Sequence, residues 1–128
     1  MTDLESFIEY ERKIGERAEQ LESIFKAEES LHELTKQAWP YIEGKIPFVD
    51  GWHLHAISEH LEALMRREIR NLIINIPPRC TKSSLVSVML PAWQWVHDPS
   101  EQFLYASYAA SLSLRDSVKC RRLILSDW

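Results

Sequence analysis

The stretch that decides the predicted fold runs from Asn71 to Ser84 and reads Asn-Leu-Ile-Ile-Asn-Ile-Pro-Pro-Arg-Cys-Thr-Lys-Ser-Ser. Its first six residues are mostly apolar and include three β-branched isoleucines, and Pro77 stops the run. Short apolar runs of this kind are typical of buried strands. The sequence therefore predicts a strand over 71–76, followed by a loop that leads into a helix.

The residues after this loop predict a helix and then a second strand. The helix covers about 82–96 and contains Pro91, which should kink it because proline supplies no backbone N–H. A second apolar run at 102–107 predicts the next strand. Residues 71–107 would then form a β-α-β unit with parallel strands and a right-handed crossover. The predicted class is α/β: a partial P-loop NTPase fold preceded by two helices.

The chain divides into three predicted parts. Residues 1–38 show helical periodicity with one apolar stripe and form an acidic amphipathic helix, packed on the rest of the chain and ended by Trp39-Pro40. Residues 39–70 form a connector and a lead-in helix from about residue 52 to 67. Residues 71–128 form the incomplete core, which closes with a helix from about 110 to 125.

Composition narrows the possible classes of protein. The 128 residues suffice for one small domain, and no apolar run is long enough to span a membrane. The N-terminus lacks the basic and apolar regions of a secretory signal, so the two cysteines are interpreted as free thiols of a cytoplasmic protein. Residues 1–33 carry ten acidic and four basic side chains, a poor surface for nucleic acid.

The loop before the second predicted helix has the character of a phosphate-binding loop. In such loops backbone N–H groups and the positive end of a helix face the same anion. Lys82 would contact the β- and γ-phosphates, and the Ser83 hydroxyl would ligate Mg²⁺. The pattern G-x-x-x-x-G-K-[ST] is incomplete, since Ile76 and Thr81 stand where it has glycine. The alternative is an ordinary first helical turn with Ser83 near its cap.

The histidines of the lead-in helix do not predict a metal site. His53, His55 and His60 are not joined in the sequence by a carboxylate or cysteine that would complete a ligand set. Solvated or hydrogen-bonded side chains are the simpler interpretation of all three.

The stretch from Leu72 to Trp95, with its glycine-poor Pro-Pro-Arg-Cys-Thr-Lys-Ser loop, resembles the ATPase domain of tailed-phage terminase large subunits. These proteins are motors that package DNA into proheads. The resemblance continues through Asp98-Pro99 and the stretches 103–108 and 120–124, and upstream through 48–53. It covers about residues 39–128.

The resemblance implies ATP and Mg²⁺ as cofactors and assigns roles to single residues. Lys82 and Arg79 would act on the phosphates, with Arg79 sensing or stabilising the γ-phosphate, and Ser83 would hold Mg²⁺. Trp52 and His53 stand where the family has an aromatic residue and a glutamine that contact adenine, and His53 departs from that pair. The nucleotide-binding loop as a whole comprises Pro78, Arg79, Cys80, Thr81, Lys82, Ser83 and Ser84.

The resemblance also implies what this stretch does not contain. The carboxylates that bind Mg²⁺ and orient water, and the acidic cluster of the nuclease, have no counterpart, and we interpret Leu123–Asp127 as a helix end. We therefore expect an N-terminal piece of such a motor, whose partners would be double-stranded DNA, the terminase small subunit and the portal, with self-association also expected. Two alternatives stay open. One is a fragment of another P-loop or helicase-like ATPase, and the other is a non-enzymatic helical interaction module with a vestigial loop.

Overall fold

The first helix begins at a complete capping box. In the computed structural model, which describes residues 2–128, the Thr2 N–H donates to Glu5 Oε2 at 2.9 Å, and the Glu5 N–H donates back to Thr2 Oγ1 at 3.4 Å. Helix α1 spans Asp3–Glu29 and ends at Ser30, whose extended backbone also makes it the N-cap of α2, Leu31–Glu43. The prediction of one helix to residue 38 is wrong, because a serine that caps a new helix interrupts the first one.

Pro40 lies inside α2 and does not end it. The helix continues to Glu43. The carbonyl that loses its usual donor, that of Lys36, belongs to an exposed residue that water can reach, so the missing N–H costs little. Trp39 is buried beside it, and its indole N–H donates to the Ile46 carbonyl at 2.7 Å. This bond ties the connector after α2 to the body of the protein.

The remaining helices follow the predicted positions closely. Helix α3 spans Trp52–Met65, and α6 spans Ala110–Ile124. Between them α4 (Lys82–Ser84), a π-helical segment (Leu85–Met89) and α5 (Leu90–His97) continue one another as a single helical rod. With this rod counted once, the described part of the chain has five helices. None of them is long and apolar enough to cross a membrane.

The sequence predicts that Pro91 kinks its helix, and the structure has a π-helical segment directly before this proline. The Leu90 N–H bonds to the Leu85 carbonyl five residues back, and Pro91 has no N–H to offer the next carbonyl, that of Val86. The Tyr105 hydroxyl donates to that carbonyl instead, at 2.9 Å. The wider turn is thus stabilised from a distant part of the chain.

The predicted α/β class is wrong, since residues 2–128 contain no strand. Residues 71–77 and 101–107 run without turns or bends, but neither forms a hydrogen-bonded ladder. Burial nevertheless alternates as in a strand: Leu72, Ile74 and Ile76 pack on the core, whereas the residues between them point outward. These alternating apolar side chains hold the segment against the core in an extended form. A β-strand also needs an adjacent strand with which its backbone forms hydrogen bonds.

The core lies where α2, α3, the rod and α6 meet. Its most buried side chains include Leu31, Leu54, Leu85, Val88 and Met89. Helix α1 contributes only at its C-terminal end, through Ala27. The expected packing of this helix on the rest of the chain therefore holds only near its C-terminal end. Its apolar residues are largely exposed: Leu4, Phe7, Ile8, Ile14, Leu21, Ile24 and Phe25.

Candidate phosphate-binding loop

The loop before α4 has an unusual backbone. Arg79 and Thr81 adopt φ angles of 66° and 65°, in the left-handed region that non-glycine residues rarely occupy. For Thr81 the strain is marked, because its side chain is β-branched. Thr81 is also the position at which the standard phosphate-loop pattern has glycine. The loop thus has at Thr81 the backbone conformation for which glycine is normally required.

This conformation leaves the start of α4 open. The first helical hydrogen bond runs from the Leu85 N–H to the Thr81 carbonyl at 3.0 Å, so the N–H groups of residues 82–84 precede it. Thr81 is the N-cap, and no side chain caps these N–H groups. Ser83 lies in the first turn, two residues after this N-cap, so an ordinary first helical turn stays open as an alternative. Successive left- and right-handed residues that turn N–H groups to one side form a concavity for anions.

The side chains of the loop face solvent. Pro78, Arg79, Lys82 and Ser83 are exposed, and Cys80, Thr81 and Ser84 are half-buried. Within residues 2–128, neither Arg79 nor Lys82 forms an ion pair with a carboxylate. The loop is anchored from behind by the buried Leu85 and by Ile76. Two unpaired cations and the uncapped N–H groups at the start of the rod therefore lie within one loop.

The structure does not connect the two proposed adenine-contacting residues with this loop. Trp52 begins α3, is 83% exposed, and meets the His53 ring edge-on at 6.3 Å. Hydrogen bonds between this pair and residues 78–84 are absent from the described part of the chain. A Cβ at Gly51 would lie 2.8 Å from the His53 ring, so a larger residue at this position would require that ring to move.

A second concave surface lies beside the rod and was not predicted. It has a volume of about 360 Å³ and lies between the π-helical segment, residues 103–107 and α6, with Ser87, Trp95, Tyr105 and Cys120 in its wall. Burial raises the pKa of the Tyr105 phenol, and the nearby Cys120 adds to this shift. Burial also raises the pKa of the Cys120 thiol. The sequence carried no signal for this surface, because its residues come from three separate segments.

The three histidines of α3 have separate environments. The His53 ring lies against Gly51, and His60 Nδ1 lies 2.7 Å from the Ala56 carbonyl oxygen. His55 instead stacks on His32 of α2, with ring centroids 3.5 Å apart, and both approach Asp50. Sequence analysis missed this group because its members are 18 and five residues apart and lie on different elements.

Comparison with protein-family models, with curated proteins and with solved structures found no match for this chain. The likeness to terminase large subunits therefore rests only on the residues quoted for it.

Proposed function

We propose that residues 78–84 bind the phosphates of Mg·ATP, and that the chain is the ATP-binding N-terminal portion of a DNA-packaging motor of the terminase large-subunit type. The observation that carries this proposal is the left-handed backbone of Arg79 and Thr81 directly before Lys82. Left-handed backbone at non-glycine residues is enriched at ligand-binding sites, which favours a ligand at this loop.

The chemistry of the loop suits a nucleoside triphosphate. The Lys82 ammonium would neutralise the β- and γ-phosphate oxygens, and the planar Arg79 guanidinium would make a two-pronged contact with the γ-phosphate. The Ser83 hydroxyl would be a ligand of the Mg²⁺ that accompanies the nucleotide. These groups bind and position the nucleotide. Hydrolysis also needs carboxylates that hold Mg²⁺ and orient water, so we expect binding with negligible turnover.

In this proposal the motor acts in the host cytoplasm, and its partners are double-stranded DNA, the terminase small subunit and the portal. We expect DNA contacts to lie away from α1, because this helix carries nine acidic and four basic side chains. Phosphates would be repelled by this helix.

Calorimetric titration with Mg·ATP tests the proposal. Wild-type protein should give a saturable binding heat, and Lys82→Ala should abolish it, because the loop then loses the cation nearest to the phosphates. Lys45→Ala is the matched control, since Lys45 is an exposed lysine in the connector after α2. Equal heats from wild type and Lys82→Ala would exclude nucleotide binding at this loop.

A second candidate function, a helical interaction module, is favoured by the exposed stripe of α1. The exposed apolar residues follow one another at spacings of three, seven, four, three and four residues, which fit the heptad pattern of a coiled coil: Leu4, Phe7, Ile14, Ala18, Leu21 and Phe25. Glu11 and Glu28 interrupt it. Because α1 meets the body only near its C-terminal end, this face is available to the same helix of a second copy.

Sedimentation equilibrium tests this second function. If copies associate through α1, Leu21→Glu with Phe25→Glu should shift the protein to monomer, because charges in an apolar seam are costly to bury. Glu19→Gln on the same helix is the control and should leave the association unchanged. A double variant that sediments like wild type would exclude α1 as the contact.

A further inference from the structure

Three side chains from separate elements converge between α2 and α3. His32 lies in the first turn of α2, Asp50 in the connector, and His55 in the first turn of α3. The distance from His32 Nε2 to Asp50 Oδ1 is 3.1 Å, and that from His55 Nε2 to Asp50 Oδ2 is 3.7 Å. The donor atoms of all three side chains lie within 4.8 Å of one another.

Of the three side chains, His32 is the one whose ring nitrogens are buried without a hydrogen bond. It is 3% exposed, and neither of its ring nitrogens has a hydrogen-bond partner within residues 2–128. Its Nε2 faces the Asp50 carboxylate at close range but without the alignment of a hydrogen bond. A buried imidazole nitrogen without a partner is costly, and an ion at the point of convergence would satisfy it.

The surroundings hold His32 and Asp50 in place, whereas the side chain of His55 is exposed and its ring can turn. The His32 ring stacks on the His55 ring with an interplanar angle of 26° and meets the edge of Phe48 at 6.1 Å. The Gly51 N–H donates to Asp50 Oδ1 at 2.8 Å.

We propose that His32 Nε2, the Asp50 carboxylate and His55 Nε2 bind one divalent transition-metal ion of the zinc type. Two imidazoles and one carboxylate are a common ligand set for such ions. Ligand atoms about 2.0–2.1 Å from a tetrahedral Zn²⁺ lie about 3.3 Å from one another, close to the 3.1 Å between His32 Nε2 and Asp50 Oδ1. An imidazole nitrogen binds a metal along a direction in its ring plane, so the exposed His55 ring would turn out of its stack on His32 to join the same ion. Because Asp50 and His55 are partly exposed, the fourth position is open to water. The ion would join α2, the connector and α3.

Isothermal titration with ZnCl₂, in buffer without nucleotide, tests this site. His55→Ala is the main variant because its side chain is exposed and its removal leaves the core intact. Changing an outer-shell partner lowers metal affinity by about 10–100-fold, so losing a ligand should cost at least about 100-fold. Asp50→Asn should weaken binding in the same direction. His60→Ala, an exposed histidine of the same helix, is the matched control and should bind like wild type.

Absorption of the Co²⁺-loaded protein gives a second readout. Tetrahedral Co²⁺ with nitrogen and oxygen ligands should give strong visible bands in wild type and His60→Ala, and these bands should be lost in His55→Ala. Saturable Zn²⁺ binding with equal affinity in wild type and His55→Ala would place the metal elsewhere, for example on the thiol of Cys80, and would overturn the proposal. Absence of saturable Zn²⁺ binding to wild type would also overturn it and leave the His32–Asp50 contact as a simple ion pair.

Discussion

Cys80 offers a direct probe of the proposed phosphate site, because it lies two residues before Lys82 in the strained part of the loop. We predict that bound Mg·ATP slows alkylation of Cys80, since the phosphates would cover the loop. Cys120 is the internal control: it is buried, and its pKa is raised by burial, so it should react slowly with or without nucleotide. Mass spectrometry of the labelled protein measures both rates. Identical rates at Cys80 in the two conditions would contradict a nucleotide in this loop.

Trp93 and His97 join the rod to α1, since each has a ring nitrogen 2.9 Å from the Glu28 carbonyl oxygen. The Trp93 indole N–H donates to this carbonyl, and the Trp93 ring is 5% exposed and meets His97 edge-on. We predict that Trp93→Phe lowers the free energy of unfolding by about 2 kcal/mol, through one lost hydrogen bond and a small cavity. Urea unfolding measures the change. Trp52→Phe, at an exposed indole, should stay within about 0.5 kcal/mol of wild type. Equal effects of the two substitutions would show that Trp93 does not hold α1.

At the scale of elements, the π-helical segment depends on two residues that are far apart in sequence. Pro91 leaves the Val86 carbonyl without a helical donor, and the Tyr105 hydroxyl supplies one. We predict that Tyr105→Phe lowers the free energy of unfolding by about 1 kcal/mol. In a Pro91→Ala background the same change should cost clearly less, because an alanine at this position carries an N–H that can reach the Val86 carbonyl.

A double-mutant cycle measures this coupling and cancels the cavity that Pro91→Ala creates. Residues that share one partner typically couple by about 0.5–3 kcal/mol. Additive effects of the two substitutions would mean that the hydroxyl and the proline act independently. The stability of the π-helical turn would then need another explanation.

The same elements show how far the sequence could predict this fold. Helices α3 and α6 and the rod were predicted near their true places, because their apolar periodicity is local. The break at Ser30 was missed because serine is compatible with a helix interior as well as with a cap. Pro40 was predicted to end a helix that in fact continues through it. The strands were wrong because the alternation of Leu72, Ile74 and Ile76 reports burial, whereas a ladder depends on a pairing partner that a local pattern does not specify.

The two candidate sites also differ in how far the sequence predicts them. The residues of the phosphate loop could be chosen from sequence, because a strand-like run, a break and Lys82-Ser83 are consecutive. The left-handed φ of Arg79 and Thr81 could not, since neither residue favours it. The group of His32, Asp50 and His55 depends on how α2 packs on α3, which local periodicity does not determine.

At the scale of the whole molecule, two extended segments expose apolar side chains and unpaired backbone. Ile73 is 84% exposed in the first segment and Leu104 is 96% exposed in the second. A cleft of about 540 Å³ lies between their neighbouring ends, where Arg67 pairs with Glu101 at 3.0 Å. Extended segments with free N–H and C=O groups are templates for another chain. We therefore predict that the 128-residue chain is marginally stable and self-associates.

Sedimentation velocity combined with thermal unfolding checks this prediction. Wild-type protein should show association that grows with concentration and a broad transition, because the edges of both segments remain open until a second chain covers them. Ile73→Lys with Leu104→Lys should weaken the association, since a charge opposes strand addition at an exposed edge. The Leu21→Glu and Phe25→Glu double variant on α1 is the control that shows which surface associates. If this variant alone abolishes association, the copies meet through α1 and not through the extended segments. A monomer with one sharp transition above about 60 °C, the upper part of the usual mesophile range, would contradict the prediction. Such a transition would show that the unpaired segments do not lower the stability of the single chain.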